Sequence, residues 1–473
     1  MNKPGFVTAS HTHRFGTLAN WVSSTQFCIA VIAGFTVVMV VSGYGRAAAF
    51  DLAMAGVTFA IGATLRSSAD LAFARRLLIA SLALHWLVVG SLHVVLAVRG
   101  HAPLLTPDEN GYSRFAIEQS REWLGTGPPV RAMDLYVQEP FSQLLAGAYT
   151  VGGYTPFAGL AIPVAFGTWI SVAVHRLTAD HFSGWGVQAA RIAGVIALIY
   201  PTTLMWSCML LKDSSLTFAN LAVLLGVVGV TALMRRERAP VRDLALGAAG
   251  IAWLSTNRAA QLIPLALGTA LAVIAVSLRL SLRARLVVSV VIACGVLAVP
   301  LVPAVRHKFD RLPQTLAAHR ALARENARTA GPREGPSSGA SWATTIEHVP
   351  DGSALVLLRP YPTEIRNFAE LGGAAGNLLN LILCVVAAIG ALRAWHEGRR
   401  SEILLLAGSV VSLWLLLAIT EGNVGTAWRH RDVATPLLAC LAAYAAAARY
   451  DLLRGLAHRR TLRRRISDPQ PAP

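Results

Sequence analysis

Stretches of about 18 to 22 apolar residues recur along this chain, among them 27–44, 77–98 and 286–303, each long enough to cross the hydrocarbon of a bilayer as a helix rising about 1.5 Å per residue. That repetition fixes the solvent. A soluble fold must cover its surface with charge, and of these 473 residues 54% are hydrophobic and only 14% charged. In lipid every backbone N–H and C=O needs a partner within the protein, which runs of this length supply as helices. The sequence predicts an all-α fold, a polytopic transmembrane helix bundle of about 12 spans that forms a single integral membrane domain over residues 1–473.

The expected spans are 27–44, 48–65, 77–98, 156–175, 188–206, 214–234, 243–256, 261–278, 286–303, 375–392, 403–419 and 433–449. With the N-terminus in the cytoplasm, the basic clusters Arg66, Arg75, Arg76, then Arg176, then Arg235, Arg236, Arg238, Arg242, then Arg279, Arg283, Arg285, then Arg393, Arg399, Arg400, and finally Arg459 to Arg465 fall on one side. Positive-inside sorting makes that side cytoplasmic and places both termini there, in a cytoplasmic membrane. The first run follows Lys3 and Arg14 without a small-residue cleavage site, so it reads as an uncleaved span. A net charge of +17 would point to nucleic acid in a soluble protein, but here the arginines are spread over the connections, so no nucleic-acid partner is expected. The five cysteines stand singly in apolar segments and read as packing residues.

Two external loops are long. Residues 99–155 carry Pro107, Asp108, Glu109, Asn110, Gly111 and Tyr112, then a stretch in which Tyr112, Phe115, Ala116, Trp123 and Leu124 recur at helical spacing, as in an amphipathic interfacial helix. Phe141 to Tyr149 is too short to span and reads as a re-entrant or interfacial piece. Residues 304–374 begin with a Gly/Pro/Ser-rich, partly flexible part around Gly331 to Ser341 and end in the more ordered Arg359, Pro360, Tyr361 and Pro362.

On this topology the unusual polar residues gather outside: Asp108 and Glu109, then Lys212 and Asp213, then Asn257 and Arg258, then Glu421 with Trp428, Arg429, His430 and Arg431. A carboxylate can take a proton from an attacking hydroxyl or hold a divalent cation; guanidinium groups grip phosphate. The catalytic candidates are Asp108 and Glu109, and the substrate-binding candidates are Tyr112, Lys212, Asp213, Arg258, Arg359, Arg429, His430 and Arg431. Arg333 and Arg366 are weaker candidates in the second long loop. Whether a magnesium or manganese ion is needed stays open, Asp108 being the residue that would hold it. Each candidate also has a bland reading. Asp108 can be a helix N-cap, with Glu109 helped by the helix dipole; Lys212 can snorkel to headgroups; the arginines can face anionic lipid. His85 and His93 read as a pair of buried, hydrogen-bonded side chains and the tryptophans as interfacial anchors.

With Asp108, Glu109 and Tyr112 in the first external loop, Gly153-Tyr154-Thr155-Pro156, Ile199-Tyr200-Pro201, Trp206-Ser207 and Leu210-Leu211-Lys212-Asp213-Ser214, the chain resembles the GT-C superfamily of membrane glycosyltransferases. The likeness is to the protein O-mannosyltransferase-like and lipid A sugar transferase-like branch, over roughly residues 77–278. Glu421 to Thr426, Arg429-His430-Arg431 and Arg359-Pro360-Tyr361-Pro362 look more like membrane proteins of exopolysaccharide clusters. The resemblance implies an external active site in which the first-loop acid, here Asp108, acts as base or metal ligand and basic residues, among them Lys212, hold the donor phosphate. It implies transfer from a polyprenyl-phosphate-linked sugar donor to a glycan or glycolipid acceptor of the cell envelope, with membrane lipid as the other partner. The competing readings are a polysaccharide polymerase or O-antigen-ligase-like enzyme using lipid-diphosphate-linked oligosaccharide, and a lipid or polysaccharide transporter without catalysis. A carrier places its charges near the midplane in matching halves, whereas here they sit mainly at the ends.

Overall fold

The computed structural model describes residues 25–100, 106–130, 140–234, 241–277, 341–365, 368–421 and 424–450, with single positions 104, 314 and 317. Every regular element among them is helical. In order these are α1 (Thr25–Val41), α2 (Gly45–Thr64), α3 (Leu71–Val98), α4 (Pro107–Trp123), α5 (Pro140–Gly152), α6 (Pro156–Arg176), α7 (Gly186–Ile199), α8 (Pro201–Ser207), α9 (Asp213–Met234), α10 (Val241–Asn257) and α11 (Leu262–Ser277). They are followed by α12 (Trp342–Glu347), α13 (Val349–Leu357), α14 (Phe368–His396) and α15 (Arg400–Thr420). The last, α16 (Val424–Tyr450), tightens into a 3₁₀ turn at Asp432–Ala434. Seven of these, α2, α3, α6, α9, α14, α15 and α16, are long and apolar enough to cross a membrane, and α7 with α8 makes an eighth if the bent pair is one span. The expected span 286–303, with Arg333 and Arg366, lies outside the described residues.

The core lies around α6, whose residues are almost all buried and which packs against α2, α3, α7 and α9. Small residues allow those approaches: a Cβ on Gly167 would strike Ser207 and His85, and one on Gly194 would strike Leu77. At the periphery the pattern inverts, and α14 turns Leu378, Ile382, Val385, Ile389 and Leu392 outward. Large apolar side chains facing out along a long helix are what lipid as solvent demands.

Element boundaries follow local chemistry. Thr106 and Thr155 cap α4 and α6, each followed by a proline at the first helical position, where the missing N–H costs nothing. Gly153, at φ 88°, makes the left-handed corner between α5 and α6. Between α7 and α8 the axis turns by 57° at Tyr200-Pro201, since a residue before proline avoids the helical region and Tyr200 is extended. The expected amphipathic stretch is indeed the helix α4. Its Tyr112, Phe115 and Ala116 are buried, and Tyr112 packs edge-on to Phe141 of α5, while Trp123 and Leu124 are about half exposed. One stripe thus divides between a protein-covered part and a free end.

Away from α4, at the far end of α6, a second set of charges closes the bundle. Arg176, fully buried, pairs with Asp243 of α10 and lies 3.7 Å from Asp180; Asp243 also meets His181 at 3.2 Å. Arg191 of α7 donates to both oxygens of Asp70, at 2.7 and 3.1 Å. Burial alone would push the Asp70 carboxyl up, but the Arg191 guanidinium bonded to it holds it below the ordinary carboxylate range. Arg176, read from sequence as one of the basic loop residues, is therefore a buried structural cation. Replacing Arg176 by Met leaves the buried Asp243 carboxyl only His181 at 3.2 Å and Arg242 at 3.9 Å and is expected to cost about 3 kcal/mol, whereas Arg176→Met with Asp243→Leu recovers most of it. Thermal unfolding of the three proteins in one detergent checks this.

Candidate functional site

The rim opposite that cluster is built by α4, the turn from α8 to α9, the turn from α10 to α11, and the segment from Glu421 into α16. Helix α4 is tied down first. The Thr106 hydroxyl accepts from the Glu109 N–H at 3.2 Å while Glu109 Oε2 accepts from the Thr106 N–H at 2.9 Å, a reciprocal capping box. The other Glu109 oxygen accepts from the Leu210 N–H at 2.9 Å. Glu109 is buried, and its carboxylate joins the start of α4 to the turn that precedes Lys212. Thr106, not Asp108, is the N-cap, so Asp108 keeps its side chain for other contacts.

Those contacts come from the far end of the chain. Arg429 Nη1 donates to Asp108 Oδ2 at 2.6 Å, and Arg429 Nε lies 3.3 Å from Asp213 Oδ2. Three segments thus meet on one guanidinium. Asp213 is the first residue of α9 and is buried, as suits a carboxylate at a helix N-terminus. Side-chain exposure is 42% for Asp108, 18% for Arg429 and 6% for Asp213, so Asp108 is the acid of this trio that faces out. Beside them the Lys212 ammonium lies over the Tyr112 ring, 6.0 Å from its centre.

The run 429–431 does not act as one patch, because successive residues on a helix point about 100° apart. Arg429 turns to Asp108 and Asp213. His430 turns instead to Glu421, whose Oε1 is 2.6 Å from its Nδ1, and Arg258 Nη2 lies 2.9 Å from the same nitrogen and 3.6 Å from that oxygen. Arg431 points into the protein, 2% exposed, and donates to the Val356 carbonyl of α13 at 2.9 Å. The Arg429 and His430 clusters are neighbours, the second of them buried except for Arg258: Asn257 Oδ1, next to Arg258, accepts from the Phe141 N–H, and the Phe141 ring packs on Tyr112. Trp428 stands edge to face with Trp206 of α8 at 5.4 Å, bracing α16 against the bent pair.

The remaining sequence candidates fall elsewhere. Arg359 is bonded within its own segment, its Nε 2.9 Å from Glu364 Oε1, and that ion pair holds the guanidinium in its charged form. His85 and His93 bond to the carbonyls of Ser81 and Val89 one turn back, at 2.7 and 3.0 Å. Glu421 stood among the external acids in the sequence, but its partnership with His430 was not visible there. The only cue was the coincidence of an acid ending one apolar run and a histidine shortly after.

Asp108 and Asp213 both face a guanidinium, and among the described residues no group of three or more His, Cys, Asp or Glu side chains gathers to hold a metal. Comparison of the chain with family models, with curated proteins and with solved structures gives no match.

Proposed function

We propose that this protein is a membrane glycosyltransferase, moving a sugar from a polyprenyl-phosphate-linked donor to a cell-envelope glycan or glycolipid at the external face of a cytoplasmic membrane. The observation that carries the reading is the convergence of Asp108, Asp213 and Arg429, from three remote segments, at one partly open edge of the bundle. About 12 spans, both termini in the cytoplasm and the segments 99–155 and 304–374 outside make up the topology we propose with it, and the basic connections support it.

Chemistry gives each group a task. Displacement of a sugar from a lipid phosphate builds negative charge on the departing oxygen, and pre-set cations at that oxygen lower the barrier. Arg429 donates from Nη1 to Asp108 and has the Asp213 carboxylate 3.3 Å from its Nε, so one hydrogen bond and one close charge set the position of its fork; Lys212 adds a second cation near Tyr112. Asp108 orients Arg429 through one oxygen and, being the exposed acid of the trio, faces the incoming acceptor. Glu109 supports all three by holding α4 on the Leu210 turn.

The Arg258, His430 and Glu421 cluster next to Arg429 favours a second reading, in which the donor is an oligosaccharide on a lipid diphosphate and the reaction is polymerisation or ligation. A further cation, Arg258, within the same rim is what a second phosphate would call for.

Membranes supplied with radiolabelled polyprenyl-phosphate and polyprenyl-diphosphate sugars test the two readings together. Arg429→Lys is expected to lower transfer by about a hundredfold or more at equal folded protein, since a point charge cannot reproduce the fork, and Asp108→Asn by at least about tenfold. Equal label transfer in wild type and Asp108→Asn would remove Asp108 from the site. Glu109→Ala behaves differently: loss of the capping box and of the Leu210 contact is expected to cost about 1–3 kcal/mol, read as a lower melting temperature in detergent whatever the donor.

A further inference from the structure

Glu421 and Arg258 meet the same nitrogen of His430, and a ring nitrogen carries either a hydrogen or a lone pair, so they decide the state of that imidazole. A carboxylate only accepts and a guanidinium only donates. At 2.6 Å from Glu421 Oε1, an Nδ1 lone pair would face an oxygen lone pair, whereas an Nδ1–H makes a short charge-assisted hydrogen bond. Nδ1 therefore carries the hydrogen, and Arg258 serves the carboxylate instead, its Nη2 3.6 Å from the same oxygen. The consequence falls on the other side of the ring. In the neutral imidazole Nε2 holds the lone pair, and the hydrogen bonds of His430 among the described residues all involve Nδ1.

We propose that His430 is the base of the reaction at this rim: its Nε2 takes the proton of an acceptor hydroxyl, and Glu421 is the positioning residue that fixes the ring. This rests on the glycosyl-transfer reading and adds to it the group that receives the proton. As the acceptor O–H bond breaks its proton goes to Nε2, the freed oxygen pair bonds to the anomeric carbon, and the bond from that carbon to the donor phosphate breaks with its electron pair on the phosphate oxygen. Glu421 then faces an imidazolium, whose charge it stabilises, and Arg429 with Lys212 faces the new phosphate charge. The division suits the two clusters. Asp108 and Asp213 are engaged with a permanent cation and position it, while Glu421 is engaged with a ring that can change charge. His430 and Arg429 are adjacent on one helix, so a substrate bridging the clusters places its acceptor and its phosphate against neighbouring residues of α16. The charged groups acting on His430 are Glu421 at the end of α15, Arg258 in the turn from α10 to α11, and Arg429 on its own helix.

The test is the pH dependence of label transfer by full-length protein in membranes, between about pH 5 and 8 where a histidine base titrates. Wild type is expected to lose activity on the acid side as the ring takes up a proton. His430→Gln is expected to fall about a hundredfold or more and to lose that acid limb, with a melting temperature close to wild type. Glu421→Gln, which keeps a hydrogen-bond acceptor and removes the charge, moves the acid limb to lower pH by about one unit, and Glu421→Asp moves it back. A packing role for the pair would change melting temperature without moving the limb. Transfer by wild type with an unchanged rate and acid limb in His430→Gln overturns the proton assignment alone, as does an acid limb lost in Asp108→Asn but kept in His430→Gln. Absence of transfer by wild type from either class of labelled donor overturns the glycosyl-transfer reading and the assignment with it.

Discussion

One guanidinium held between two carboxylates closes this molecule at the rim built by α4, α9 and α16. Arg429 comes from the last helix, Asp108 from α4, and Asp213 from the start of α9. In lipid the hydrophobic effect does little to tell one helix neighbour from another, so small residues and a few polar contacts set which helices meet. Here the polar contacts stand at the two ends of α6, where water or headgroups soften the cost of charge, and glycine contacts with large side chains fill the middle. Removing Arg429 would leave two carboxylates facing each other. Removing either carboxylate would leave the fork less constrained.

The two ends differ in how much they expose, and that difference separates support from chemistry. Arg176 and Asp243 are wholly buried, a geometry that fixes helix positions and offers nothing to a substrate. Asp108 is 42% exposed and Arg258 24%, so the rim joins held charges to open ones. A site must be rigid in its supports and reachable at its reacting atoms. Glu109 shows the support role clearly, since both its oxygens accept backbone N–H groups and neither is left to face a ligand from a new direction.

Much of the architecture was legible because exclusion of water leaves long apolar runs in the sequence. Eleven of the expected stretches correspond to helices, among them the seven long enough to cross a membrane and the bent pair α7–α8; α1, α10 and α11 are shorter, and 286–303 lies outside the described residues. The bend at Tyr200 was hidden inside one apolar run, because only Pro201 marks it. Legibility fell where function depends on direction. The run Arg429 to Arg431 read as one phosphate-gripping cluster, but a helix sends its members to three places, and Arg431 ends on a backbone carbonyl. Pairing across hundreds of residues, as for Asp108 with Arg429, leaves no local signal at all. Topology could bring such residues to one side of the bilayer, but could not say which touch.

The account turns on residues 108 and 429 being in contact. Cysteines placed at these two positions in a protein whose own five cysteines are replaced can be tested in intact cells with a short membrane-impermeant bifunctional thiol reagent. An intramolecular cross-link formed from outside, blocked when either cysteine is omitted, is the predicted result. Labelling of the two positions from opposite sides of the membrane would contradict it.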